Sequence, residues 1–181
     1  MKKIIFALTL ICFLMLSVCA YTNMVTQELR TSIIRLHIIA QSNSDYDQQI
    51  KLSVRDEVLA ATKNINIEDT ETFLYEAEKA ANLYLLQNKI PYLADAEFGT
   101  FYFPEKNYRN ITLPSGEYQG VRIVLGKGEG ENWWCVMYPP LCVSEKMNEA
   151  EIELKNSLSD DTYEIITKKP QIRFKLLELI K

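Results

Sequence analysis

The chain has 181 residues, 48% of them apolar, and carries 20 Lys and Arg against 24 Asp and Glu. Apolar and charged fractions near the globular average exclude disorder and fibrous repeats, and the length suits one domain with a useful core. The acidic balance argues against nucleic acid as the main partner, and a single histidine excludes a multi-histidine metal site.

Met1-Lys2-Lys3 opens the chain, and Ile4 to Ala20 follows with only Thr9 and Ser17 as polar interruptions. Two cations, an apolar run and the small residues of Val18-Cys19-Ala20 read as a signal peptide cleaved after Ala20. A retained anchor is the alternative, because 17 residues lie at the short edge of what spans a bilayer. Cys19 raises a lipoprotein reading, which the bulky Val18 before it disfavours. Residues 1–20 are thus expected as a signal segment, 21–32 as a spacer or short helix, and 33–181 as one domain. Without residues 1–20 the charges are 18 positive and 24 negative, net −6, since two Lys and no acid are removed.

Ile33 to Ala40 predicts a strand, with Ile34, Leu36, Ile38 and Ala40 on one face and Arg35 and His37 on the other. Ser44 with Asp47 three residues on predicts a capped helix running to about Lys63. Its stripe is Tyr46, Ile50, Val54, Val58 and Ala61. A second helix is predicted from about Asp69 to Asn88, with Phe73, Leu74, Ala77, Ala80, Ala81 and Tyr84 at helical spacing.

From Ala94 the period changes to two, giving a strand closed by Pro104. Leu113-Pro114-Ser115-Gly116 predicts a turn and Tyr118 to Gly126 a strand. The glycine-rich stretch Lys127 to Asn132 reads as a flexible hairpin tip, with Trp133 to Tyr138 returning beside the preceding strand. Residues 144–158 suggest a modest helix. Pro170 suits a helix start, although Ile172, Phe174 and Leu176 also alternate like a strand. The order predicts an α+β fold, a mostly antiparallel sheet with helices packed on one side.

The chemistry is sparse. Cys135 and Cys142 form an even pair in an exported domain, where a disulfide is permitted; two buried thiols are the alternative. Zinc would need two further ligands nearby. His37 could serve a thiol site only with a reduced cysteine, and a structural ring is the simpler reading. Paired carboxylates could cleave glycosides, but no acid sits in an apolar setting. Gly126, Gly128 and Gly130 lack the following helix of a phosphate cradle, and Glu129 and Glu131 would repel phosphate. Trp133 and Trp134 face opposite sides of a strand, one expected in the core and one exposed. Asn110-Ile111-Thr112 matches a glycosylation triplet that is frequent by chance.

Three blocks carry more. Ile34 to Ser42 with Asp47-Gln48 and Val54 to Leu59, then Leu113 to Tyr118 with Val121 to Gly130, then Asn132 to Cys142, together resemble the stage II sporulation protein R family. Asn43 departs from it, at a position where Asp is usual. The resemblance implies a protein made in the forespore and exported into the space between the two sporulation membranes. It implies as partner the membrane-embedded aspartic protease of the mother cell, which removes the pro-sequence of sigma-E. No catalytic residue, metal or cofactor is carried over. An extracytoplasmic hydrolase and a structural envelope protein are the alternatives. The expected contact surface is the tip with Lys127, Glu129, Glu131, Trp133 and Trp134, joined by the Arg35/His37 strand face.

Overall fold

The structure, a computed structural model, describes residues 2–67, 69–141 and 147–167. The elements in chain order are α1 (Lys2–Ser32), β1 (Ile34–Ile39), α2 (Asp45–Thr62), α3 (Thr70–Gln87), β2 (Ala94–Phe103), β3 (Lys106–Tyr108), β4 (Ile111–Leu113), β5 (Gly116–Leu125), β6 (Asn132–Tyr138), α4 (Met147–Ser157) and α5 (Asp160–Thr167). The fold is α+β, as expected.

Four strands form one sheet in the order β2-β5-β1-β6, and β3 and β4 form a separate pair. β1 runs parallel to β5, with Leu36 opposite Val121 and Ile38 opposite Ile123. The β1–β6 and β2–β5 ladders are antiparallel. Two of three ladders in the main sheet are therefore antiparallel. One expectation is overturned: β5 and β6 are not a hairpin, because β1 lies between them. The connection 126–131 must cross two strand spacings, about 10 Å, over the end of β1.

Each face of the sheet buries its own core, because alternate residues of a strand point to opposite sides. Leu36, Ile38, Val121, Ile123, Leu125 and Cys135 pack under Ile50, Val54 and Val58 of α2 and Phe73, Ala77, Ala81 and Leu85 of α3. Both helices begin as their sequences dictate. The Ser44 side chain accepts from the Asp47 N–H, and the Asp69 side chain accepts from Thr72 N–H. The α2 stripe differs at its ends: Tyr46 is exposed, and Asp47, Lys51 and Thr62 lie on the buried face.

The opposite face is covered too. Val25, Leu29, Ile33, Ala150, Leu154, Ile165 and Ile166 pack on Phe103, Tyr118 and Val136. Residues 21–32 are therefore not a spacer: they are the last turns of α1, and Thr22, Val25 and Leu29 are buried. Glu28 completes the join by accepting from the Ser159 N–H and hydroxyl and the Thr162 hydroxyl, at the start of α5. Burial raises the Glu28 pKa, but these hydrogen bonds together carry it below the usual range. Residues 2–18 are exposed, so burial begins two residues past Ala20. The apolar half of α1 is long enough to cross a membrane and is compatible with a signal segment.

Candidate functional site

The blocks that stand out in the sequence meet at the C-terminal ends of β1 and β5. After β1 the chain leaves the sheet at Gln41 and enters α2 through Ser42, Asn43 and Ser44. The 126–131 connection lies across this segment and is bonded to it through four of its backbone N–H groups. Lys127 N–H donates to the Gln41 side-chain oxygen, Glu129 N–H to Gln41 C=O at 3.3 Å, Gly130 N–H to Ala40 C=O at 2.9 Å, and Glu131 N–H to Asn43 Oδ1 at 2.8 Å. Gly126 N–H donates to Leu93 C=O at 2.8 Å, tying in the approach to β2. The expected flexible tip is thus a pinned loop.

Two glycines make the crossing sterically feasible. Gly126 has φ of +58°, and a β-carbon there would strike the Gln41 side chain. A β-carbon at Gly130 would stand 2.3 Å from the Ser42 carbonyl oxygen. These spacings belong to backbone-on-backbone contact and not to a phosphate cradle, since the N–H groups are already spent within the protein.

Beneath the loop, Asp47 and Lys51 hold the entry to α2. The Asp47 carboxylate accepts from the Ser42 hydroxyl at 2.5 Å, the Ser44 hydroxyl at 3.1 Å and the Tyr92 hydroxyl at 2.8 Å. The Ser42 bond is the main reason its pKa lies below the carboxylate norm. Lys51 donates to Gln48 Oε1 at 2.6 Å and Glu131 C=O at 2.9 Å. Burial lowers its pKa, and the charge of Glu131 opposes that. Asn43 serves as an acceptor, a role that Asp would fill equally.

The expected contact residues divide into three groups. Lys127, Glu129 and Glu131 are exposed on the pinned loop. Trp133 and Trp134 do point to opposite faces, but both are half-buried. Trp133 packs against the α2/α3 core under the Arg55 guanidinium, 4.4 Å from its ring centre. Trp134 stacks on His37 at 4.9 Å with the rings 4° from parallel. Arg35 and His37 are not on a contact surface: they are 0% and 5% exposed, under the second layer. Sequence reasoning took their polarity for solvent exposure.

His37 Nδ1 pairs with Asn132 Oδ1 at 3.2 Å, and its Nε2 finds no partner among the described residues. Burial pushes its pKa down to about 4, against the pull of Asn132. The ring is neutral near pH 7, wedged among Phe101, Phe103 and Trp134. Among the described residues no three His, Cys, Asp or Glu side chains could share a metal ion. Cys135 is buried and disulfide-bonded, while Cys12 and Cys19 are free. Its expected partner Cys142 lies outside the described residues, as does the segment expected to start at Pro170.

Two exposed apolar residues beside the loop were missed. Tyr46 is 63% exposed in the first turn of α2, and Leu93 is 72% exposed next to the Gly126 anchor. The helical stripe concealed Tyr46 by including it. Asp47 and Lys51 were legible in principle, as polar residues sharing a face with Ile50 and Val54.

The fold is thus an α+β domain behind an apolar N-terminal helix. A family model described as Stage II sporulation protein R matches residues 30–148. The chain belongs to that family. It is 38% identical over 124 residues to Stage II sporulation protein R of Bacillus subtilis (strain 168). The alignment covers 64% of this chain and 55% of that relative, so it spans about half the relative's length. No solved structure matches the chain.

Proposed function

We propose that this chain is an exported forespore signal that activates the mother-cell membrane aspartic protease, which then processes pro-sigma-E. Family membership over residues 30–148 is the observation that carries this reading. The exposed apolar start of α1 supports export into the intermembrane space. The contact with the protease is assigned to the pinned loop, with Lys127, Glu129 and Glu131 as its charged part and Tyr46 and Leu93 as apolar neighbours. A fixed loop loses little conformational entropy on binding, which favours recognition. His37, bonded to Asn132 at the end of the loop, and Trp134 stacked on it support this surface from below. Within the exported domain, Cys135 pairs with Cys142.

Co-expression of the full chain, the protease and pro-sigma-E in a non-sporulating host tests the reading. Cleavage of pro-sigma-E that requires all three is the expected result. Equal cleavage without this chain would contradict it. A hydrolase or a purely structural envelope protein would also leave cleavage unchanged.

A further inference from the structure

Arg35 is the most unusual charge in the molecule. Its side chain is fully buried on the second-layer face of β1. The guanidinium lies 4.4 Å from the Phe103 ring centre and 5.0 Å from that of Tyr118. Nη1 donates to Pro104 C=O at 3.4 Å, a long bond. Nε and Nη2 find no acceptor among the described residues. Those two atoms form one edge of the guanidinium, the edge whose paired N–H groups match the two oxygens of a carboxylate.

The surroundings point the same way. The Tyr108 hydroxyl is buried beside the Arg35 guanidinium and interacts with it as a weak hydrogen-bond partner, but neither group gains a bond of full geometry from the other. Arg30, in the last turn of α1, acts electrostatically on the same Tyr118 as Arg35 does, and its Nε is likewise buried without an acceptor. No described carboxylate acts appreciably on Arg35. Aromatic faces offset part of the charge. They do not satisfy N–H groups, and a buried charge left without a partner is strongly destabilising. Water could satisfy the donors but would bring no countercharge.

We infer that Arg35, Tyr108 and Arg30 form an internal oxyanion site, which takes a carboxylate side-on at Arg35 Nε and Nη2. The carboxylate accepts two N–H bonds from Arg35 and one hydroxyl bond from Tyr108, and Arg30 adds a second positive charge. The site lies between the end of α1 and the sheet, so its occupancy strengthens the docking of α1. This inference stands apart from the signalling role.

The test is thermal unfolding of the full chain in detergent, titrated with sodium acetate against sodium chloride at matched ionic strength. Acetate should raise the midpoint saturably, by about 3–6 °C at ten times its dissociation constant. Arg35→Met should abolish the saturable rise, and Tyr108→Phe should weaken acetate binding roughly tenfold. If Arg35→Met does not fold, Tyr108→Phe decides alone. An acetate response equal to chloride in the wild type overturns the site. An unchanged acetate midpoint in Tyr108→Phe, or a retained rise in Arg35→Met, overturns it as well.

Discussion

Burial holds His37 at about 4 in the folded chain, while an unfolded imidazole titrates near 6.5. Between these values the unfolded state binds more protons. Stability is therefore complete above pH 6.5, falls as the pH drops through the window, and is lower by roughly 3 kcal/mol below pH 4. Urea unfolding at a series of pH values should show this acid limb in the wild type. His37→Gln should flatten it between pH 6.5 and 4 while leaving the steeper carboxylate limb below. Equal slopes in both proteins would mean that His37 is not the group responsible. At Gly130 the constraint is steric. Gly130→Ala places a methyl group against the Ser42 carbonyl, and the backbone must shift to admit it. A loss of about 1–3 kcal/mol is expected by urea unfolding. An unchanged midpoint would show that the loop is not held as tightly as its hydrogen bonds require.

Among the elements, α1 has two parts with different fates. Residues 2–18 are exposed, whereas Thr22, Val25 and Leu29 are buried on the sheet's second-layer face. Cleavage after Ala20 would remove the exposed part and keep every buried residue. Mass spectrometry of the exported protein should find Tyr21 at the N-terminus; a product that retains residues 1–20 would favour the anchor. Strand β6 carries the second prediction at this scale. If Cys135 pairs with Cys142 as proposed, thiol titration of the exported, denatured protein that begins at Tyr21 should find no free cysteine. Closing so short a loop stabilises by roughly 2–3 kcal/mol in the chain-entropy treatment. Two titratable thiols in the product that begins at Tyr21, which lacks Cys12 and Cys19, would refute the pairing.

For the molecule as a whole, the strands and long helices were legible because period and caps are local. Alternation from Ala94 to Phe103 matches β2, and the helix expected from about Asp69 to Asn88 is α3, Thr70–Gln87, flanked by those two residues. Strand pairing is not local. The glycine-rich stretch between two strands reads as a hairpin, and only the third strand, 90 residues upstream, shows that β1 separates them. The second layer was hidden for a different reason. The end of α1 is mostly polar and commits only a narrow stripe to the core, α5 spans one eight-residue segment, and β3 and β4 have three residues each. Without that layer, Arg35 and His37 look like surface. The charged loop residues were found correctly as exposed, but their rigidity came from Gln41 and Asn43, which no spacing rule connects to them.

The central claim is that this pinned loop is the surface by which an exported domain switches on a membrane protease. Reversing Glu131 would also disturb Lys51, whose charge it supports. The exchange Lys127→Glu with Glu129→Lys avoids that and leaves the net charge unchanged. The decisive measurement is the extent of pro-sigma-E cleavage in the three-component co-expression, compared between the wild type and this exchange variant at equal exported level and unfolding midpoint. The account predicts a fall of about tenfold or more, since a lost charged contact is worth roughly 1.5–3 kcal/mol. Cleavage at the wild-type rate and extent by the folded, exported variant would contradict it.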